Sequence, residues 1–379
     1  MTGGRQAARR TVTEEPAAEE AVGGGAGGDA GGEGAPAGPG CPARSAAEVL
    51  EWSRSLLDPA LREATVHLSE SMRPVAAYHF GWRDETGRPT SGGGGKAIRP
   101  ALVLLSAVAA GGTAAAALPA AVAVELAHNF SLLHDDVMDG DLTRRHRPTA
   151  WSLFGEPTAI LAGDALLACA FEVLAEGRHP AALQAGRTLA RAVIALVEGQ
   201  SADMAFEVRE DVDLDECLAM AANKTASLLG GACAIGAAHG AGPPGAVEHY
   251  RRFGELLGLA FQLVDDLLGI WGDPAVTGKS VHSDLRSRKK SLPVVAALTS
   301  GVPAGEELAE LYRVDRSLTE AESVRAAELV EAAGGRSWAV GRAAHYLEEA
   351  LTELDRARPR SPAGDELRAL ARLVVHRDH

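Results

Sequence analysis

Apolar side chains recur along most of the chain at intervals of three and four residues, which is the spacing of one helix face. The pattern begins near Ala46, with Val49 and Leu57 among the first apolar positions. Short Gly/Pro segments such as AGPPGA (241–246) and SGVPAG (300–305) separate the later apolar stretches. Neither alternating strand patterns nor fixed-period repeats are visible. The pattern therefore predicts an all-α fold, a single large helical bundle.

The first 45 residues have a different composition, dominated by Gly, Ala, Glu and Pro, as in AVGGGAGGDAGGEGAPAGPG at 21–40. Such a segment buries too little apolar surface to offset the conformational entropy that ordering would cost. The sequence therefore predicts a disordered tail over residues 1–45 and one all-α domain over residues 46–379.

Composition and charge narrow the class of function. Of the 379 residues, 46% are apolar and only 4% are aromatic, which suits a core of packed helices rich in Ala, Leu and Val. The net charge of −14 argues against nucleic acid or an anionic membrane surface as a general partner. An anionic ligand would therefore need local cationic contacts.

Cysteine spacing and hydropathy indicate a soluble, cytoplasmic protein. Cys41, Cys169, Cys217 and Cys233 show no CxxC or metal-type spacing and are expected to be reduced thiols. The longest apolar stretch, residues 103–126, is interrupted by two glycines and a proline, so we expect no membrane span.

The segment LLHDDVMDGDLTRR (132–145) carries the clearest chemical signal. Asp135, Asp136 and Asp139 occupy positions i, i+1 and i+4 of a predicted helix, so the first and third lie on one face. Carboxylates this close repel one another and need positive charge nearby. A lone cluster of this kind is more typical of a solvated helix end, so a second signal is required.

A second acidic pair, Asp265 and Asp266, lies inside the apolar segment FQLVDDLLG (261–269). Two helices that direct carboxylates into a bundle can hold Mg²⁺, which usually also binds substrate phosphates. The two clusters therefore predict a diphosphate ligand. Basic residues that could contact a diphosphate are Lys96, Arg99, Arg144, Arg145, Lys224, Lys279 and Lys289.

These motifs, taken in order over about residues 90–350, resemble the trans-isoprenyl diphosphate synthases, or polyprenyl synthetases. GGKAIRP (94–100) is similar to the family's GGKxxRP, and LLHDDVMD with LTRR is similar to its first aspartate-rich motif and arginine pair. Later blocks that match in order and spacing are LAGDALL (161–167), EGQSADM (198–204), NKTASL (223–228), FQLVDD and TGKSVHSDLRSRKKSLP (277–293).

The resemblance implies an isoprenoid-synthase bundle with a central cavity, assembled as a homodimer. It also implies a Mg²⁺-dependent prenyltransferase that condenses isopentenyl diphosphate head-to-tail with an allylic diphosphate, with three Mg²⁺ ions present beside bound diphosphate. The implied metal ligands are Asp135, Asp136, Asp139, Asp265 and Asp266.

The resemblance also implies separate roles for the basic and polar residues. The allylic diphosphate would contact Arg144, Lys224 and Lys279, and isopentenyl diphosphate would contact Lys96, Arg99, His128 and Arg145. Lys289 is a further substrate-binding candidate, and Thr225 and Gln262 would flank the allylic cation with oxygen dipoles. The candidates for catalysis are Asp135, Asp136, Lys224, Thr225, Gln262, Asp265 and Lys279.

His128 needs a separate argument, because a lone histidine in an apolar helix is more often a core residue. Its position seven residues before Asp135 is similar to that of the family's substrate-binding histidine, which favours a functional role.

Product length depends on the residues one to two turns before Asp135, because a helix rises about 1.5 Å per residue and these residues would line the growing chain. The candidates are Phe130, Ser131 and the deeper Ala127. One aromatic, one small residue and no insertion resemble geranylgeranyl diphosphate synthases. We therefore expect a C20 product, with C15 as the lesser alternative.

The sequence departs from the family pattern at two positions. Gly269 stands where the second motif usually has its third aspartate, and Asp273 lies too far along to replace it. We expect this glycine to loosen the metal's outer shell. His146 stands where a glycine commonly follows the arginine pair. Two alternatives therefore remain: a class I terpene cyclase on the same fold, and a non-catalytic partner subunit of a prenyl synthase.

Overall fold

Helices account for nearly all regular structure in the part of the chain that the computed structural model describes, residues 42–90, 95–273 and 281–375. The first helices are α1 Ala46–Ala64, α2 Met72–His79, α3 Ile98–Ala109, α4 Ala114–Met138, α5 Ala150–Phe154, α6 Glu156–Glu176, α7 Ala182–Val208 and α8 Leu214–Ala221. The later ones are α9 Ser227–Ala238, α10 Ala246–Trp271, α11 Ser283–Arg286, α12 Leu292–Leu298, α13 Pro303–Tyr312, α14 Glu320–Ala332, α15 Gly335–Arg356 and α16 Ala363–Val375.

Three short elements complete the described structure. A 3₁₀-helix covers Thr65–His67, a π-helix covers Ala222–Ala226, and a two-stranded antiparallel hairpin joins β1 Thr143–Arg144 to β2 Arg147–Pro148. The sequence pattern did not predict the hairpin. The predicted all-α fold is nevertheless confirmed.

Local capping explains where the principal helices begin. Ser45 and Glu48 form a reciprocal capping box at the start of α1, and the Thr113 hydroxyl accepts a hydrogen bond from the Ala116 amide at the start of α4. Each cap satisfies an amide that lacks a partner in the first helical turn. Helical structure therefore begins at Ala46, as the apolar pattern predicted.

The long helices α4 and α10 form the centre of the bundle. Helix α4 packs against α3 and α6, and α10 packs against α9 and α15. Small residues allow close approach. A Cβ placed on Gly254 of α10 would lie 2.5 Å from the carbonyl oxygen of Leu229 in α9, so only glycine fits at this crossing.

Ordered contacts begin before the predicted domain boundary. Arg44, which falls in the expected tail, forms a bidentate pair with the buried Glu366 of α16, with a distance of 2.7 Å between its NH2 nitrogen and Oε2. Its guanidinium also lies over the Trp52 ring. Composition does not reveal this long-range contact, and the division into tail and domain stays a prediction. Residues 1–41 of the predicted tail lie outside the described residues.

Cys169, Cys217 and Cys233 are free and buried, as expected for core thiols. Burial raises the pKa of Cys169 to about 11 and that of Cys233 to about 12, which keeps these thiols protonated near neutral pH. Cys41 lies outside the described residues.

Helices α4 and α6 are long and apolar enough to cross a membrane by length and composition alone. In their most apolar windows, 72% of α4 and 39% of α6 is buried inside the bundle. Core helices of soluble proteins pass the same test, and these two helices pack against each other. The expected absence of a membrane span stays a prediction.

We expect Gly254→Ala to lower the free energy of unfolding by about 1–3 kcal/mol, because the added methyl group would overlap the α9 backbone. The matched control is Gly186→Ala in α7, where nothing lies within 4 Å of the added methyl group. The control should gain a few tenths to about 1 kcal/mol from helix propensity. Urea unfolding followed by circular dichroism measures both, and equal stability of the two variants would contradict the packing argument.

Candidate functional site

A π-helical turn places two of the predicted site residues, Lys224 and Thr225. Helices on both sides approach this turn through glycine. A Cβ on Gly199 of α7 would lie 2.6 Å from Cα of Lys224, and one on Gly258 of α10 would lie 2.5 Å from Cα of Ala226. The π-helix, of a kind frequent at functional sites, is therefore held between two helix surfaces with no side chain intervening.

The residues one turn beyond these glycines contact the π-helix. Asp203, four residues after Gly199, places Oδ2 2.5 Å from Nζ of Lys224. Gln262, four residues after Gly258, accepts a hydrogen bond of 2.5 Å from the Thr225 hydroxyl at Oε1. The glycine contacts thus set the positions of the polar pairs, because i and i+4 share a helix face.

The second acidic pair divides into an exposed and a buried carboxylate. Asp265 is exposed, whereas Asp266 is 4% exposed. Oδ1 of Asp266 accepts from Nε2 of Gln262 at 2.8 Å, and Oδ2 accepts from the Leu292 amide at 2.9 Å. Burial raises the pKa of Asp266 to about 7 although Lys289 lies nearby. With both oxygens bonded, Asp266 fits a supporting role better than Asp265 does.

The first acidic cluster ends helix α4. Asp136 is 1% exposed, and its Oδ1 accepts from Nε of Arg144 at 2.6 Å. Asp139 caps the helix and accepts from Nε2 of Gln200 at 3.3 Å. Burial raises the pKa of Asp135 to about 6 although the charge of Lys224 lowers it. The three predicted acids therefore differ in exposure and in hydrogen bonding.

Lys289 connects the two acidic clusters. Its ammonium lies 4.0 Å from Oδ2 of Asp203. Desolvation alone would lower the pKa of Lys289, but Asp203, Asp284 and Asp266 raise it, with Asp139 adding to the effect. One cation thus interacts with acids from α4, α7, α10 and α11. We refer to Asp135, Asp136, Asp139, Asp203, Asp265, Asp266, Asp284, Lys224 and Lys289 as the acid-lysine site.

The donor atoms of the acid-lysine site suit Mg²⁺ without enclosing it. Within residues 42–90, 95–273 and 281–375, no three His, Cys, Asp or Glu side chains lie close enough to hold a metal ion. Oδ2 of Asp136 and Oε1 of Gln200, both on buried residues, have no hydrogen-bond partner. Such orphaned oxygens fit hard cations, and Mg²⁺ commonly uses one or two carboxylates together with water and substrate phosphate.

A second group of basic residues surrounds His128. NH1 of Arg99 lies 3.1 Å from Nε2 of His128. Burial, together with the charges of Arg99 and Arg145, lowers the pKa of His128 well below its usual value. The neutral ring therefore accepts a hydrogen bond from Arg99 at Nε2, which leaves Nδ1 as its protonated nitrogen. Lys96 is exposed on the segment before α3.

The β1–β2 hairpin carries the arginine pair, Arg144 and Arg145. Arg145 and His146 form its two-residue turn, with φ of 52° and 60°. Positive φ at both turn positions favours glycine or asparagine, which gives a physical reason for the glycine that the resemblance led us to expect after the arginine pair. The Arg145 guanidinium lies against Gly95, where a Cβ would be 2.5 Å from its NH2 nitrogen. His146 is therefore accommodated at the cost of a less favourable backbone conformation.

Three polar residues that the sequence did not reveal lie near the Arg99–His128 group, and two of them, Glu125 and Asn129, are buried. Nδ2 of Asn129 donates to Oε1 of Glu125 at 3.0 Å, and Oδ1 of Asn129 lies 3.1 Å from Nε2 of His79. Burial raises the pKa of Glu125 and lowers that of His79 to about 3. The charge of Glu125 also lies near Arg99. Asn129 thus links Glu125, whose charge acts on Arg99 and Arg145, to His79.

The three chain-length candidates are buried on α4 but differ in direction. The Phe130 ring packs edge-on against His134, which lies close to Gly163 of α6. Ser131 is 5% exposed and lies one turn before Asp135 on the same face. Ala127 is fully buried. Of the three candidates, Ser131 therefore lies closest along this helix face to Asp135.

One candidate from the sequence cannot be placed, and the set of candidates was incomplete. Lys279 lies outside the described residues. Helix α10 ends at Trp271, so Asp273 lies beyond it, as expected. The acids Asp203 and Asp284, with Gln200, were not singled out. The blocks EGQSADM and TGKSVHSDLRSRKKSLP contain all three, but only the fold shows that they face the aspartate motifs.

Comparison with known proteins gives consistent matches. A polyprenyl synthetase family model matches residues 82–330. A (2E,6E)-farnesyl diphosphate synthase of Mycobacterium tuberculosis is 48% identical over 334 residues, 87% of this chain and 92% of that protein. A geranylgeranyl diphosphate synthase of the same organism is 44% identical over 338 residues, which cover 89% of this chain and 95% of that protein. The crystal structure of a polyprenyl synthetase from Streptomyces coelicolor has a TM-score of 0.82 at 48% identity, covering 86% of this chain and 99% of that one.

We expect Mg²⁺ binding in the presence of pyrophosphate to release protons from the protein near pH 6.5 and few near pH 8.5, because metal ligation favours ionised carboxylates. The protons that Mg²⁺ displaces from pyrophosphate itself are measured without protein and subtracted. In the metal-free protein, Asp135 and Asp266 have pKa values raised to about 6 and about 7, so both are partly protonated at the lower pH. Calorimetry in two buffers of different ionisation enthalpy counts the protons. Asp135→Asn should release fewer, and equal release at both pH values would contradict the raised pKa values.

Proposed function

As a member of the polyprenyl synthetase family the chain is a prenyltransferase, and we propose that it condenses isopentenyl diphosphate head-to-tail with an allylic diphosphate. The observation that carries this proposal is the presence of two separate groups of charged residues along helix α4. Asp135 belongs to the acid-lysine site, and His128, two helical turns earlier, contacts Arg99. Two groups of this kind suit two diphosphate substrates whose reacting carbons must meet.

The acid-lysine site is proposed to bind the allylic diphosphate. Lys224 and Arg144, each held against a carboxylate in the free protein, would contact its phosphate oxygens. Lys289 and Lys279 are proposed to add positive charge. Preorganised cations stabilise the charge that develops on the departing pyrophosphate as the allylic C–O bond breaks. The carboxylates would keep these cations in place before substrate arrives.

The family is Mg²⁺-dependent, and we propose that three ions are held beside the bound diphosphate. Asp135, Asp139 and Asp265 would serve as ligands, with Asp136 and Asp266 as supporting carboxylates, because Asp136 and Asp266 are buried and hydrogen-bonded. Bound Mg²⁺ would supply Lewis-acid stabilisation of charge on the diphosphate oxygens.

Thr225 and Gln262 are proposed to stabilise the allylic cation. Their side-chain oxygens lie 2.5 Å apart, and Asp266 holds the Gln262 amide through Nε2. Because Gln262 donates to Asp266, its carbonyl oxygen is directed toward Thr225 rather than toward the α10 backbone. Two oxygen dipoles fixed in this way suit a transient positive charge, and the mechanism needs no protein nucleophile.

Isopentenyl diphosphate is proposed to bind at Arg99, His128 and Arg145, with Lys96 closing the site from the exposed side. Neutral His128 would donate from Nδ1 while accepting from Arg99, so it adds a directed hydrogen bond without adding charge. The isopentenyl double bond would then attack the allylic cation, and the resulting carbocation would lose a proton to the pyrophosphate. Charges and atoms balance without an added base.

The product is proposed to be geranylgeranyl diphosphate, C20, with farnesyl diphosphate, C15, as the alternative. The two Mycobacterium tuberculosis relatives, named as farnesyl and geranylgeranyl diphosphate synthases, are similar enough to this chain that identity does not decide between them. The small Ser131 supports the longer product. A homodimer and a cytoplasmic location are proposed from the family resemblance.

Incubation of the purified protein with Mg²⁺, isopentenyl diphosphate and each of dimethylallyl, geranyl and farnesyl diphosphate tests the function. We expect elongated diphosphates that end at C20. Cyclic hydrocarbons would instead indicate a terpene cyclase, and no product from any starter would indicate a non-catalytic partner subunit. Lys224→Ala should lower turnover by about two orders of magnitude or more, because it removes a contact to the leaving group.

Ser131→Phe should shorten the product toward C15, because an aromatic ring one turn before Asp135 would block chain growth on that face. Ser131→Ala is the matched control, since it removes the hydroxyl that donates to the His128 carbonyl but adds no bulk. The control should retain the product length of the unmodified enzyme. Radiolabelled isopentenyl diphosphate and chromatography of the dephosphorylated products measure the distribution, and an unchanged distribution in Ser131→Phe would refute this placement.

A further inference from the structure

The volume next to Gly269 on α10 is filled by a carboxylate from another helix. A Cβ built at this position would lie 2.6 Å from Cγ of Asp284 and closer still to Oδ2. A side chain at 269 would thus project into the space that the Asp284 carboxylate occupies. The absence of a third aspartate on α10 is matched by the presence of an acid from α11 at the same place.

Backbone contacts fix Asp284 against the end of α10. The His282 amide donates to the Ile270 carbonyl at 3.2 Å, and the Ser283 hydroxyl lies 3.4 Å from the Gly269 carbonyl. On the other side of Asp284, the Lys289 amide donates to its carbonyl at 2.8 Å. These contacts hold the Asp284 backbone in place, so a side chain added at Gly269 would force the Asp284 carboxylate to rotate out of its present position.

The charge environment places Asp284 in the acid-lysine site. The ammonium of Lys289 interacts with Asp284 as well as with Asp203 and Asp266, and the charge of Asp284 also acts on Asp266. Beside the site, Gln200 donates to Asp139 through Nε2 and has a buried Oε1 without a hydrogen-bond partner. Asp284 thus belongs by charge to the group of acids around Lys289.

We propose that Asp284 supplies, from α11, the third carboxylate of the second acidic cluster, and that Gly269 is required because it leaves room for that carboxylate. This inference rests on the proposed function, since it concerns the binding of Mg²⁺ with diphosphate. The simple expectation is that an aspartate at position 269 would strengthen Mg²⁺ binding, and the inference predicts the opposite. Adding an aspartate there displaces Asp284 rather than completing the cluster.

The competing explanation is that Asp284 only neutralises Lys289. A structural role of that kind would change stability without changing the Mg²⁺ requirement. Calorimetry separates the two roles by measuring how the binding of inorganic pyrophosphate depends on the Mg²⁺ concentration. This measurement does not depend on turnover. Thermal unfolding of each variant gives the structural contribution.

Four variants make the test. We expect Asp284→Asn and Gly269→Ala each to raise the Mg²⁺ concentration needed for half-maximal pyrophosphate binding by about tenfold or more, as for other residues that support metal ligands. Gly269→Asp alone should also bind more weakly than the unmodified protein. The double variant Gly269→Asp with Asp284→Ala should regain most of the loss, because it moves the carboxylate to α10 and removes the overlap. Gly341→Ala, with nothing within 4 Å of the added methyl group, is the matched glycine control and should bind normally.

Unchanged Mg²⁺ dependence in Asp284→Asn, or tighter binding by Gly269→Asp alone, would overturn the inference. A lower melting temperature with normal Mg²⁺ dependence would do the same, because it shows a structural role only. If Asp284→Asn does not fold, the comparison of Gly269→Asp with the double variant decides. Failure of the unmodified protein to elongate any allylic diphosphate would overturn the proposed function. If the unmodified protein does elongate them and Asp284→Asn shows an unchanged Mg²⁺ dependence of pyrophosphate binding, only this inference is overturned.

Discussion

Charge pairing between lysines and carboxylates is the interaction on which the site depends. Acids from α4, α7, α10 and α11 approach one another in surroundings that are partly withdrawn from water, where ionised carboxylates repel and desolvation favours protonation. Lys224 and Lys289 lie among these acids and offset part of that repulsion. Asp203, which contacts both lysines, keeps a lowered pKa despite its burial, because their charges outweigh desolvation.

The geometry that permits this pairing comes from glycine. Gly199 and Gly258 bring α7 and α10 into backbone contact with the π-helix, and the polar residue one turn beyond each glycine then contacts Lys224 or Thr225. Gly95 makes room for the Arg145 guanidinium in the same way. A larger residue at Gly199 or Gly258 would overlap the backbone of the π-helix and push these elements apart. The polar contacts of the site therefore depend on the close packing of these helices.

Helix α4 connects the acid-lysine site with the Arg99–His128 group. Its C-terminal end contributes the first acidic cluster, and two turns earlier it contributes His128, next to the buried Glu125 and Asn129. Because residues seven apart lie close to one helix face, a rigid helix fixes the distance between the two groups. The residues between them, including Ser131, occupy the part of the helix along which a prenyl chain would grow. In the proposed function, substrate placement and product length would both depend on this helix.

The sequence by itself determined the helical class, the start of α1, the two aspartate motifs and the basic residues, because each follows from local spacing along one chain segment. It also indicated that position 269 departs from the family pattern. Only the tertiary structure showed that Asp266 is hydrogen-bonded at both oxygens, that Asp203 pairs with Lys224, and that Asp284 fills the space beside Gly269. These contacts join residues far apart in the chain, and their distances depend on how closely helices approach, which no local pattern encodes.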